Sequence, residues 1–195
     1  EIKLLYVYEK VDQLSNKAKK LYGCKIEKNY KKIFNDKKID IIFISSPTNT
    51  HIKFIEEGMK RKKTIFCEKP LTHTVYEARY IRELAKKYKV QTQMGNQGHS
   101  SDEIRSLKEW IDSGAIGKVR EVFAWTDRPV GGKPWSTFAV KEKSKEKPIV
   151  PDNLNWDLWL GPAKYRDYHS DYHPTKWRAW MDFGTGSMGD MGCHC

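Results

Sequence analysis

Paired cysteines are missing from this sequence. Its four, Cys24, Cys67, Cys193 and Cys195, show neither a disulfide-scaffold spacing nor a CxxC pair, so free thiols in a reducing, cytoplasmic compartment are the default. Cys193-His194-Cys195 has no second ligand pair, and neighbouring residues on a helix point apart, so no metal site is expected. Also missing is any run long and apolar enough to cross a membrane, or a visible signal-peptide pattern, so no membrane partner is expected. Arginine clusters and interleaved aromatic platforms are absent from the basic half as well. Residues 1–99 hold 22 Lys and Arg against 11 Asp and Glu, whereas residues 100–195 hold 14 of each. The lysines (among them Lys17, Lys19, Lys20, Lys60, Lys62 and Lys63) fall on expected helices and turns and read as solvated faces, so nucleic acid is not the expected partner. Finally, the sequence starts at Glu1 rather than Met and stops at Cys195 inside a Gly-rich motif, as a piece trimmed at both ends would.

What is present is an alternation of strand-like and helix-like segments. Residues 3–8 form a β-type run. Leu14, Ala18 and Leu21 recur at helical spacing before the stop signal Gly23. A short helix is predicted over 30–37, with Ile33 and Phe34 inward. Ile39 to Ser45 reads as a strand buried on both faces. Ile52, Ile55 and Met59 make the next helical stripe, and 64–67 the next strand. Thr74 and Glu77 form a capping box that opens a helix to Tyr88, burying Ala78, Ile81, Ala85 and Tyr88. Another strand spans 90–94. Such alternation predicts a doubly wound parallel sheet. Beyond the break at Gly95-Asn96-Gln97-Gly98, a second capping box (Ser100, Glu103) opens a helix with Ile104, Leu107 and Ile111 inward, ended by Gly114. A strand is expected over 119–126 and an exposed insertion over 128–155. The aromatic-rich stretch 156–183 reads as a buried irregular layer or as a sugar-stacking surface.

Three places carry chemistry. In Phe66-Cys67-Glu68-Lys69-Pro70-Leu71 a charged pair closes a strand, at the sheet edge where open α/β sheets bind ligands. Pro70 restrains its own φ and biases Lys69 towards extended backbone. Glu9 closes an early strand, where a Rossmann half bonds the ribose hydroxyls of a dinucleotide; the alternative is an ordinary strand-ending acid. The glycine fingerprint would then lie about 20 residues earlier, ahead of Glu1. Asp190 and His194 are four apart and would share a helical face if the Gly run opens a helix. A carboxylate with an imidazole suits proton transfer from an alcohol. Gly184 to Gly189 matches GxGxxG in form, but no buried strand is expected before it and no acid follows at the required distance, so it does not read as a dinucleotide loop.

Together, Ser45-Ser46-Pro47-Thr48-Asn49-Thr50-His51, Cys67-Glu68-Lys69-Pro70-Leu71, Gly95-Asn96-Gln97-Gly98, Ser113-Gly114-Ala115-Ile116-Gly117-Lys118 and Gly189-Asp190-Met191-Gly192-Cys193-His194 resemble the glucose–fructose oxidoreductase/inositol dehydrogenase (Gfo/Idh/MocA) family. The resemblance spans almost the whole chain. It implies a Rossmann-like domain over 1–97 lacking its first strand and glycine loop, then part of an α+β open-sheet substrate domain over 98–195. It implies that Lys69 is the catalytic-site lysine, Asp190 a substrate-binding acid and His194 the proton acceptor. Ser45, Pro47, Asn49, His51, Glu68, Lys69 and Asn96 fall where the family contacts its cofactor, and Glu9 where its ribose acid sits, implying NAD rather than NADP. The implied reaction is hydride transfer between NAD and a sugar or cyclitol hydroxyl, in a protein that assembles as a homo-oligomer at full length. The alternatives are NAD-assisted glycoside chemistry by transient oxidation and elimination, and a non-catalytic ligand-binding protein on the same fold.

Overall fold

The computed structural model describes residues 2–125, 145–192 and 194. The chain divides into two compact units, Glu1–Gly95 and Asn96–Cys195.

In the first unit strands and helices alternate, with one short strand more than expected, and every strand pairing is parallel. Strand β1 (Tyr6–Val7) leads to helix α1 (Asp12–Tyr22) and strand β2 (Lys25–Ile26). Helix α2 (Tyr30–Asn35), strand β3 (Ile41–Ile44), helix α3 (His51–Lys60), strand β4 (Thr64–Glu68), helix α4 (Val75–Tyr88) and strand β5 (Thr92–Gly95) follow. β1 pairs with β2, and β3, β4 and β5 pair in that order as a separate sheet. The local signals act where the sequence places them. Gly23 adopts φ 64° and returns its N–H to the Lys19 carbonyl, which closes α1. Thr74 and Glu77 form the reciprocal capping box of α4.

One core holds the three-stranded sheet against its helices: Phe34, Ile42, Ile44, Ile55, Met59, Ile65, Cys67, Ile81 and Leu84 are all buried in it. Each large aliphatic side chain so buried contributes roughly 1.5–3 kcal/mol before entropy is counted. Burial pushes the Cys67 thiol up to about 11, so it stays protonated and is no nucleophile at neutral pH.

Several expectations are corrected. β3 is buried on one face only: Ile42 and Ile44 point into the core, while Ile41 and Phe43 are exposed, Phe43 stacking on Phe66 at 4.6 Å. Leu14 and Leu21 on α1 are exposed, because no described residue packs over their stripe. On α4 the buried positions are Ile81 and Leu84, and Ala78 is exposed. One lysine read as solvated is not, and another is exposed but engaged. Lys63 is buried and donates to the Asp36 and Ile39 carbonyls at 2.8 and 2.6 Å. Lys62 donates to the Tyr88 carbonyl at 2.6 Å, meeting the negative end of α4.

A polar tie joins α3 to α4. The Tyr80 hydroxyl donates to Glu56 at 2.8 Å, and Lys60 pairs with the same oxygen at 2.8 Å. Lys60 first, and Tyr80 second, hold the Glu56 carboxyl below its usual range. A lowered carboxylate stabilises above its unfolded pKa and loses that contribution as pH falls through its folded one. Tyr80→Phe is therefore expected to lower the melting temperature modestly at neutral pH, because the tie is partly solvated. The gap between the variant's and the wild-type melting temperatures narrows as the pH drops below the carboxylate range. A gap that stays constant with pH contradicts the tie.

The second unit contains helix α5 (Asp102–Asp112), a short helix α6 (Trp156–Leu160), a 3-10 turn Lys176–Ala179 and helix α7 (Gly186–Met191). The cap of α5 is Ser101, whose hydroxyl accepts from Ile104 N–H, and not Ser100, which ends the preceding 3-10 turn Gln97–Ser100. Ile104, Leu107 and Ile111 are exposed, so the expected inward stripe is uncovered among the described residues. Residues 119–125 form no strand, since no described segment pairs with them; Thr126 lies outside the described residues, as does 128–144 of the expected insertion. The aromatic stretch does build a layer. Trp156, Leu160 and Tyr172 are buried, with Trp159, Tyr168, Trp180 and Phe183 packed against them. Tyr172 meets Trp180 and Phe183 edge-on at 5.1 and 5.0 Å. Tyr165 remains exposed.

Candidate functional site

Parallel strands all present their carboxyl ends at one edge, and the candidates of the first unit gather at such ends. Glu9 follows β1. One of its carboxylate oxygens accepts from Val11 N–H at 2.9 Å, so the acid is held at the strand end with its second oxygen clear of that bond. Ser45 follows β3, and Pro47 opens the 3-10 turn Thr48–Thr50, which includes Asn49. That turn is braced twice by Thr50, whose N–H and hydroxyl both reach the Pro47 carbonyl, at 2.8 and 2.7 Å. Glu68 is the last residue of β4, opposite Gly95 at the end of β5. A Cβ at Gly95 would stand 2.7 Å from the Glu68 carboxylate, so a larger residue there would push that acid aside.

Lys69 comes next, half-buried, before a cis peptide to Pro70. No carboxylate pairs with its ammonium among the described residues. An uncommitted cation fixed at the end of a central strand can stabilise an oxygen that gains negative charge. His51 is placed differently from the other cofactor-loop candidates. It is buried, 1% exposed, with its ring enclosed by backbone carbonyls.

In the second unit Asn96 precedes the Gln97–Ser100 turn. Its side-chain carbonyl oxygen is buried and receives no hydrogen bond from the described residues. A buried acceptor left open calls for a donor, and a carboxamide-bearing ligand has one. The same turn approaches His194: a Cβ on Gly98 would lie 3.1 Å from the His194 carbonyl oxygen. α7 ends at Met191, so His194 is not carried on the helix with Asp190. It lies in the following turn, its N–H donating to the Met191 carbonyl at 2.8 Å. The sequence did not single out Arg178. Its Nε donates to Asp190 at 2.8 Å, its Nη1 donates to the Thr175 carbonyl, and its guanidinium stacks on Trp177 at 4.5 Å. Asp190 is thus a largely buried, ion-paired acid. The twelve-residue separation of the pair leaves no periodic signal. Gly184 lets the chain pass Arg178, because a Cβ there would meet the Arg178 backbone at 2.9 Å. The segment ahead of Gly184 is a 3-10 turn and not the strand a dinucleotide fingerprint needs. Among the described residues no three His, Cys, Asp or Glu are grouped to hold a metal ion; Cys193 and Cys195 lie outside those residues.

The comparisons with known proteins bear on both units. Residues 3–96 match the oxidoreductase family described by its NAD-binding Rossmann fold, and residues 100–195 match that family's C-terminal alpha/beta domain. The chain belongs to the Gfo/Idh/MocA oxidoreductase family. Within this family it is 33% identical to the rhizopine catabolism protein MocA of Rhizobium meliloti, over 66% of this chain and 41% of that protein. It is 32% identical to the myo-inositol 2-dehydrogenase of Thermotoga maritima, over 59% of this chain and 35% of that one. Among solved structures, a putative myo-inositol dehydrogenase from Sinorhizobium meliloti superposes with a TM-score of 0.57 at 26% identity, covering 60% of this chain and 35% of the other. In each case the match spans well under half of the relative's length.

Proposed function

We propose that the whole protein oxidises or reduces a hydroxyl of a sugar or cyclitol with NAD as the hydride partner. The observation that carries this reading is Lys69, an ammonium with no carboxylate partner among the described residues, at the carboxyl end of the central strand β4. Glu9 at the end of β1 and the open acceptor of Asn96 suit the ribose and carboxamide of a nicotinamide dinucleotide. The named inositol dehydrogenases among its relatives support the substrate class.

NAD, when bound, supplies the hydride acceptor at its nicotinamide ring. The protein's own residues handle the proton and the charge. His194 takes the hydroxyl proton as the C–H bond is broken. Lys69 donates a charge-assisted hydrogen bond to the oxygen as it becomes alkoxide-like. Asp190, steadied by Arg178, orients a neighbouring hydroxyl. Ser45, Pro47, Asn49 and Glu68, at or just beyond the ends of β3 and β4, would border the bound cofactor.

The test is direct. Full-length protein is mixed with NAD or NADP and a panel of inositols and aldoses, and reduced cofactor is followed by absorbance. Net NADH should form with at least one cyclitol or sugar. NAD should bind at least about 10-fold more tightly than NADP, because a carboxylate accepts ribose hydroxyls and repels a 2′-phosphate. Glu9→Gln should narrow that preference. Glycoside cleavage without net NADH would assign the protein to transient-oxidation chemistry instead, and a preference for NADP would remove Glu9 from the cofactor site.

A further inference from the structure

The His51 imidazole is almost wholly buried, yet every polar contact it makes is to backbone. Nε2 lies 2.7 Å from the Ser46 carbonyl, and Nδ1 lies 3.0 and 3.2 Å from the Pro70 and Leu71 carbonyls. Carbonyl oxygens only accept, so the ring holds both loops by hydrogen bonds when each of its nitrogens carries a hydrogen, as in the imidazolium form. One face of this bridge is rigid. The Ser46–Thr50 turn is closed by Thr50 on the Pro47 carbonyl and by the 2.6 Å bond between the Ser46 and Thr50 hydroxyls. The other face is held by the packing of Leu71 against the core and not by backbone bonds. Beyond Glu68 the ladder to β5 stops, Pro70 has no N–H, and no backbone-to-backbone bond of Lys69, Pro70 or Leu71 is formed among the described residues.

We propose that His51 is a positioning residue. It transfers the rigidity of the turn after β3 to the loop after β4, and so fixes where the Lys69 ammonium stands. It does so without touching the cofactor, since its ring nitrogens are committed to the two loops. This rests on the catalytic role given to Lys69 above. The side-chain geometry leaves few substitutes. Glutamine carries its donors on one atom and an acceptor on the other, so it can hold one loop but would face the second carbonyl with its own oxygen.

The experiment compares full-length wild type, His51→Gln and Lys69→Ala by three readouts: kcat, the NAD dissociation constant, and the downfield imidazole N–H signals of 15N-labelled protein. His51→Gln should lower kcat by roughly 10- to 100-fold, the scale expected when a catalytic group is misplaced by about 1 Å. NAD affinity should change less than threefold. Wild-type protein should show a slowly exchanging imidazole N–H that is absent from the variant; this measurement stands even if His51→Gln does not fold. A large loss of NAD affinity at unchanged kcat would make His51 a cofactor ligand and overturn the proposal. So would a His51 ring N–H in fast exchange with water, or an unchanged kcat in His51→Gln when Lys69→Ala is impaired. If Lys69→Ala turns over normally, the catalytic reading of Lys69 fails; the protected N–H then still decides whether the bridge exists.

Discussion

In the full-length protein, His194→Asn is expected to slow alcohol oxidation by roughly 10²–10⁴-fold, the usual contribution of a positioned general base. Asparagine keeps a similar shape and some hydrogen bonding but cannot take up a proton. A base must be unprotonated before it acts, so kcat/KM for oxidation by the wild type should rise with pH on its acid side. The variant should lose that rise as well as the rate. The fold should survive the change, since His194 sits in a turn past the end of α7 and contributes its backbone N–H, not its side chain, to the turn bond with Met191. A variant with near-normal rate and an unaltered acid limb would show that another group accepts the proton, and Lys69 would be the next to test.

Lys69→Ala should reduce kcat by roughly 10²–10³-fold, the cost of removing one donor aimed at charge that develops in the transition state. The effect belongs mainly on kcat. An interaction made only as the alkoxide forms lowers kcat and kcat/KM together and leaves ground-state binding nearly intact. The NAD dissociation constant should therefore move little. Lys69→Arg is a sharper probe: it keeps the charge but spreads it over a planar fork, so it should recover only part of the rate. Weakened NAD binding with normal turnover at saturation would place the ammonium on the cofactor instead.

How much of this could be read from the residues varies with the range of the interaction. The helices of the first unit announce themselves through local caps, Gly23 and the Thr74–Glu77 box, and β4 through its short run before Glu68. The ends of β1 and β4 place Glu9, Glu68 and Lys69 at one kind of edge because parallel pairing leaves no other choice. β2 escaped notice because two residues are too few to show an alternation. The exposed faces of α1, β3 and α5 carry apolar residues at the right spacing, but spacing states which side is apolar and not what lies against it. The remaining surprises join residues far apart in sequence. Arg178 meets Asp190 through a turn and a short helix, and His51 meets Pro70 across a helix and a strand. Such pairs depend on how loops close, which no local pattern encodes.

The burial of β4 has a bearing on how the protein fails as it warms. The strand lies between two partners, with Ile65 and Cys67 at 2% and 0% exposure. Proteins open by parts, and the most tightly packed part opens last. Lys69 follows directly on this strand, so it should keep its place until the core around β4 gives way, and a thiol reagent should reach Cys67 only at that same temperature.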